Sequence, residues 1–156
     1  TYPILPGGSY VKFNSAAVPI SCKGSILAGT VNAGLLALDP VSLALKWRHA
    51  TQRAIIDTTA YTDVNDKCQT IDSTLLAVGE RLFFGANDGY LYTLEAQTGK
   101  LISKYDLGFP IRSRVVWNHN RITVIDMAGR VITLVPPEAP PSPNSVRFDI
   151  RQSALQ

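Results

Sequence analysis

The chain is short of the residues that most often carry chemistry. Its 156 residues include two cysteines, Cys22 and Cys68, two histidines, His49 and His119, and a single methionine. There is no Cys-Cys dipeptide, and spacing ties no acid or nucleophile to either histidine. A catalytic dyad and a zinc site therefore have no support. Charge of one sign is also scarce. The net charge is +3, with lysines and arginines scattered, and the absence of a basic patch interleaved with aromatics argues against a nucleic-acid partner. No apolar run approaches the ~20 residues needed to cross a bilayer, so no membrane span is expected. No Asn-x-Ser/Thr sequon occurs, which leaves no acceptor for N-glycans. The sequence opens on Thr1, with neither Met nor a basic leader before an apolar core, and the expectation is a processed chain or a fragment. An N-terminal threonine can act as nucleophile with its own amine as base. Here, however, Tyr2-Pro3 leads into a Gly-Gly loop rather than a strand.

What is present is apolar and repetitive. At 46% hydrophobic and 17% charged, the chain has the composition of a globular domain rather than a disordered one. The stretch "GANDGYLYTLEAQTGK" (85–100) places Asn87-Asp88-Gly89, residues that tolerate positive φ, between two short runs rich in aromatic and aliphatic residues. Thr98-Gly99 then gives a second turn before Lys100-Leu101-Ile102. This order predicts three antiparallel strands joined by tight turns. A shift of 56 lays "ILAG" (26–29) on "LFFG" (82–85), and a shift of 40 lays "RLFFGANDGYLYTL" on "RITVIDMAGRVITL". The repeat is therefore about 40 residues, with roughly 16 extra between the first two copies. Helical signals are weak. Only "SLALKWRHATQRAI" (42–55) reads as amphipathic, and the repeat gives Leu43 to Trp47 to a strand instead.

Each copy resembles the repeat of the pyrroloquinoline-quinone-like β-propeller family: an apolar strand ending in Gly, an Asp-Gly turn, "LYALDA", "TGK", and an apolar-x-Trp strand. "RLFFGANDGYLYTLEAQTGKLIS" follows this pattern except that Ser103 replaces the closing Trp. The first copy keeps Leu38-Asp39 and Trp47 but has Ser42-Leu43-Ala44 for Thr-Gly-Lys, and the third keeps "GRVITL" and then breaks into proline. The resemblance implies an all-β fold, a β-propeller arc of about three four-stranded antiparallel blades within residues 1–135. The blades are placed at about 18–52, 73–108 and 109–135, with an insertion at 56–72. Their innermost strands are expected at 18–21, 74–78 and 114–117. A Pro-rich linker follows at 136–145, then a possible edge strand or tail at 146–156. Trp47 is expected to close its blade against a neighbour's backbone, and Gly89, Gly99 and Gly129 to serve the turns. Three blades do not close a ring, so a companion propeller chain from the same precursor, or identical copies, is expected to cover the flanks. The expected location is extracellular or periplasmic.

In such a fold the turns between middle strands and the links into the next inner strand share one face. Asn32, Asn87, Asp88, Asp126, the segment 108–113 and the insertion with Asp57, Asp63, Asp66 and Asp72 fall on it. Asp88 and Asp126 are candidate ligand residues, and Asn87 and Asp88 also read as turn formers. Arg112 and Arg114 flank an inner strand and could present a guanidinium to an anion. Asp63-x-Asn65-Asp66 has part of a calcium loop but lacks its Gly and bidentate Glu. The vicinal cysteines, calcium ligands and catalytic Asp of quinone-dependent dehydrogenases cannot be matched here. The expectation is therefore a non-catalytic scaffold or binding segment, with quinone and calcium possible only through parts supplied elsewhere. The alternative is one arc of a quinoprotein-type dehydrogenase. Cys22 and Cys68 are expected on opposite faces and unbonded.

Overall fold

The computed structural model describes residues 17–56 and 69–136. The expected linker and tail beyond Pro136, most of the insertion (57–68, with Asp57, Asp63, Asp66 and Cys68) and Thr1 lie outside the described residues. Cys22 carries a free thiol at the end of a strand.

Every regular element among the described residues is a β-strand. Blade 1 comprises β1 (Ile20–Cys22), β2 (Ser25–Gly29), β3 (Leu35–Leu38) and β4 (Leu45–His49), and blade 2 comprises β5 (Leu76–Val78), β6 (Arg81–Gly85), β7 (Tyr90–Glu95) and β8 (Leu101–Asp106). Each is an antiparallel sheet in sequence order. Blade 3 has β9 (Val116–Asn118), β10 (Arg121–Ile125) and β11 (Val131–Leu134). It shows three strands among the described residues, not the four expected, with β11 at the edge. The residues that follow Pro136 lie outside the described residues. The helical alternative at 42–55 is ruled out by β4 and by Leu43, whose φ of 57° no right-handed helix accommodates.

The innermost strands are shorter than expected and start later, at Ile20, Leu76 and Val116. Ahead of β5 and β9, the chain bonds to the turn of the preceding blade. Ile71 N donates to Thr30 O and Asn87 N to Thr70 O. One blade further on, Ile111 N donates to Ala86 O and Met127 N to Pro110 O. These lead-ins therefore tie blade to blade instead of pairing within their own sheet, and they repeat at a spacing of 40.

Side chains pack the seams. Between blades 1 and 2 lie Leu27, Leu35, Ile71, Leu82, Phe84, Tyr92 and Leu94, with Trp47 at the rim. Between blades 2 and 3 lie Phe83, Leu91, Ile111, Val115, Ile122 and Val124. Phe83 stacks on Trp117 with ring centroids 5.5 Å apart. The segments "GLLAL", "RLFFG" and "GYLYTL" are buried apart from half-buried Arg81 and Tyr90, the last two because blade 2 is sandwiched. The bare flank is that of blade 3, where Val116, Ile125, Val131 and Val135 are exposed.

Glycine at two strand ends makes the close approach possible. A Cβ on Gly85 would stand 2.2 Å from Ile111 Cγ2, and one on Gly29 would stand 2.9 Å from Ile71 Cγ2. The position 40 residues beyond Gly85 is Ile125, whose side chain is exposed.

Candidate functional site

The turns between middle strands and the lead-ins meet on one face, and this is where the polar residues collect. The turns share one backbone scheme: Thr30 N donates to Gly34 O, Ala86 N to Tyr90 O, and Asp126 N to Arg130 O. Gly89 and Gly129 sit at positive φ, 88° and 80°, which these turns require.

Asp88 is buried at the seam of blades 1 and 2. Its Oδ2 accepts from Tyr92 OH at 2.7 Å and from Gln52 N at 2.8 Å, and its Oδ1 accepts from Tyr90 N at 3.0 Å. No cation among the described residues faces it, and desolvation pushes its carboxyl above the ordinary range despite these donors. Burial, followed by the bond to Asp88, pushes the Tyr92 phenol up as well.

Asp126 is held differently. Its Oδ1 accepts from Ala128 N at 2.9 Å and Arg130 N at 3.0 Å, while Arg130 Nε reaches Oδ2 at 2.6 Å. Burial alone would raise this carboxyl, but the Arg130 guanidinium and the turn amides outweigh it and hold it below the usual range. Arg130 also donates to Leu107 O and lies over the Phe109 ring. Both aspartates that the sequence offers as ligands thus spend their oxygens on the turns.

The arginines divide. Arg112 Nε stands 3.4 Å from Asp72 Oδ2, an ion pair with a half-exposed guanidinium and a buried carboxylate. Asn87 Nδ2 donates to the same oxygen at 2.9 Å. Asn87 is fully buried, and its Oδ1 has no partner among the described residues. Arg112's terminal amines find no acceptor among the described residues. Arg114 is exposed and joins no cluster. The Asp72–Arg112 pair is a pair of equivalent positions, since 72 and 112 are one repeat apart. The shift of 40 carried this signal, but sequence reasoning placed the two residues in separate features. It also missed Tyr92 and the Gln52 amide as the groups that hold Asp88.

Among the structural positions, Trp47 lies over the blade 2 turn. A Cβ on Gly99 would stand 2.4 Å from Trp47 Cε3. His49 is half-buried with its ring centroid 5.7 Å from that of Tyr92 in an edge-on arrangement, and desolvation lowers its pKa.

Quinone and calcium, the groups the resemblance implies, need open carboxylate, amide and guanidinium ligands. Asp88, Asp126 and Asp72 already have donors, and the described residues do not fit the pair.

Known proteins agree on the architecture. BamB from Moraxella catarrhalis is similar over 78% of this chain and 35% of its own, with 18% identity and a TM-score of 0.63. A quinohemoprotein alcohol dehydrogenase from Pseudomonas putida HK5 is similar over 76% of this chain and 17% of its own, at 15% identity and a TM-score of 0.56. The computationally designed Ika8 protein is similar over 76% and 32%, at 12% identity and a TM-score of 0.53. The chain thus spans about a third or less of these structures. No curated protein matches it. No helix among the described residues is long and apolar enough to cross a membrane. Residues 6–109 match the glucose/ethanol/alcohol dehydrogenase β-propeller domain, and with about two thirds of its length inside that match the chain belongs to this pyrroloquinoline-quinone-type β-propeller family.

Proposed function

We propose that this chain is a non-catalytic propeller segment, a scaffold whose loop face binds a partner, in an extracellular or periplasmic setting. One observation carries the reading. Among the described residues, Asp88 and Asp126, candidate ligands on that face, each accept three or more bonds from the protein's own donors. What the face leaves open is the half-exposed Arg112 guanidinium, oriented by Asp72. A guanidinium with free terminal amines suits a carboxylate or phosphate on a partner. The partner includes further propeller blades, from a companion chain or from identical copies, because about a third of a ring leaves blade 3 bare.

The second reading, an arc of a quinoprotein-type dehydrogenase completed elsewhere, is favoured by the family match over 6–109. One experiment separates them. The purified chain is incubated with pyrroloquinoline quinone and calcium, freed of excess reagent, and examined for absorbance above about 300 nm. The scaffold reading expects no retained chromophore, and stoichiometric retention overturns it. Intact mass and gel filtration of the same sample report any companion chain.

A further inference from the structure

We infer that the turns of blades 2 and 3 form a docking surface for an acidic segment of a partner protein, one that carries aliphatic or aromatic side chains beside its carboxylates. The inference rests on the reading that the loop face binds a partner, and it adds the patch and the chemistry of what binds there.

The apolar part is three exposed side chains, Ile55, Phe109 and Met127. None of them belongs to either seam. They come from separate stretches of chain, the segment leaving blade 1, the link into blade 3 and the blade 3 turn, and backbone contacts bring these together. Ile55 N donates to Asn87 O at 2.8 Å, and Met127 N to Pro110 O at 2.9 Å. A Cβ on Gly89 would stand 3.2 Å from Ile55 Cδ1 and 3.3 Å from Phe109 N, so Ile55 and Phe109 flank the same glycine. Arg130 lies over the Phe109 ring, 4.9 Å from its centroid, and donates to Leu107 O. The aromatic anchor is therefore held before anything binds, which lowers the ordering cost of association.

Charge selects the partner. Arg112 and Arg130 border the patch with half-exposed guanidiniums, while the carboxylates they pair with, Asp72 and Asp126, are buried. Each pair is neutral as a whole, but the group it turns to solvent is the cation. Arg53, on the segment that carries Ile55, is exposed as well. Asp88 is buried. Among the described residues beside these turns, Asp106 is the exposed carboxylate, and its Oδ1 accepts from Gly108 N at 2.9 Å. Arginine with phenylalanine and methionine is the composition of an interface centre. A guanidinium fork takes a carboxylate, and the apolar side chains between the forks take aliphatic or aromatic ones. A peptide segment supplies both groups on one strand.

The test pans random peptides displayed on phage against the full chain and measures the recovered peptides, fluorescein-labelled, by anisotropy. They are expected to pair Asp or Glu with Leu, Ile, Phe or Trp and to bind more weakly as salt is raised. Phe109→Ala and Met127→Ala should each weaken them roughly tenfold. Arg112→Lys keeps a cation beside Asp72 but loses the fork and should weaken them several-fold, as should Arg53→Glu. Arg121→Ala, on the opposite end of blade 3, should change nothing. Recovery of basic or uncharged peptides, no recovery, unchanged affinity in Phe109→Ala and Arg53→Glu, or equal binding of a single-stranded oligonucleotide overturns the proposal. Amide exchange of the complex separates this failure from failure of the scaffold reading. Protection is expected at 107–111 and 126–130. Protection confined to the blade 1 turn at 30–34 overturns the proposal and leaves the scaffold reading standing, whereas protection confined to the opposite hairpins at 22–25, 78–81 and 118–121 overturns both. Sedimentation of the chain alone checks a second copy as occupant: self-association that Phe109→Ala abolishes overturns the proposal as well.

Discussion

Blades 2 and 3 derive from nearly the same sequence pattern and end in different states. In β7, Leu91, Tyr92, Thr93 and Leu94 are all buried. The same positions 40 residues on, Val131, Ile132, Thr133 and Leu134, alternate between exposed and half-buried. Residue type does not explain this, because Thr occupies both 93 and 133 and Leu occupies both 94 and 134. Neighbours do: blade 2 has a blade on each face and an outer strand on its edge. The burial of a propeller strand is therefore set by its surroundings, and identical local propensities give a core strand in one place and an edge in another. The hydrophobic effect scales with area removed from water, so equivalent residues must contribute unequally to stability.

Truncation at matched positions gives the widest separation. Leu91→Ala should cost about 2–5 kcal/mol, because Leu91 is fully buried against Ile111 and Ile122 in the seam. Val131→Ala, at 68% exposure, should fall within about 0.5 kcal/mol. Denaturant unfolding of both variants measures the gap. Equal costs would show that another blade covers β11 in solution.

The notch positions sharpen the comparison by adding atoms. Gly85→Ala drives a methyl group into Ile111, both backbone-anchored, and should cost about 1–3 kcal/mol by overpacking. At the matching position blade 3 already carries Ile125, 47% exposed, and Ile125→Ala should change stability by less than about 1 kcal/mol. Thermal melts decide. A neutral Gly85→Ala would mean that blades 2 and 3 are not seated as described.

Much of this was legible from the repeat alone. The shifts of 56 and 40 placed the strands, the Asn-Asp-Gly turn and the aromatic middle strands, because each is fixed by local chemistry. What resisted reading depends on neighbours. The lead-ins at 70–71 and 110–111 read as parts of an insertion and a loop, yet their amides and carbonyls bond to the neighbouring blade's turns. Asp88 and Asp126 were read as candidate ligands, and the positions of Tyr92, Gln52 and Arg130 show what holds them. Asp72 was read as part of a polar loop, yet its carboxylate is buried beside Asn87 and Arg112.

Acid titration separates the two aspartates by sign. Asp88 is raised above its ordinary 3.8, so the folded state holds its proton more tightly than the unfolded one. Its contribution is most favourable below pH ~4 and declines as pH rises through the raised value. Asp126 is lowered from 3.8, so its contribution is present above that pH and is lost as pH falls through the folded value. Asp88→Asn should therefore remove a decline in stability on going from acid toward neutral pH. Asp126→Asn should remove a gain over a lower window. Unfolding free energies across pH 2–7 test both, and slopes of the same sign for the two variants would refute the assignment.

The smallest expected effect concerns the outer turns and extends the comparison to blade 1. In blade 2, Gly99 takes φ 71° and donates its N–H to Glu95 O. The matching residue in blade 1 is Leu43, which takes φ 57° and donates to Asp39 O. A leucine there is strained, since a Cβ in left-handed backbone costs about 1–2 kcal/mol. The turn forms nonetheless because Asp39 Oδ1 accepts from Val41 N, Ser42 N and Ser42 Oγ. Leu43 is 42% exposed, so replacing it removes little packing. Leu43→Gly relieves the strain, and the greater freedom of glycine in the unfolded chain returns about 0.5–1 kcal/mol of that gain. The net expectation is a stabilisation of roughly 0.5 kcal/mol, read as a small upward shift in denaturant midpoint with unchanged slope. A destabilised variant would show that the Leu43 side chain is anchored by something other than this turn.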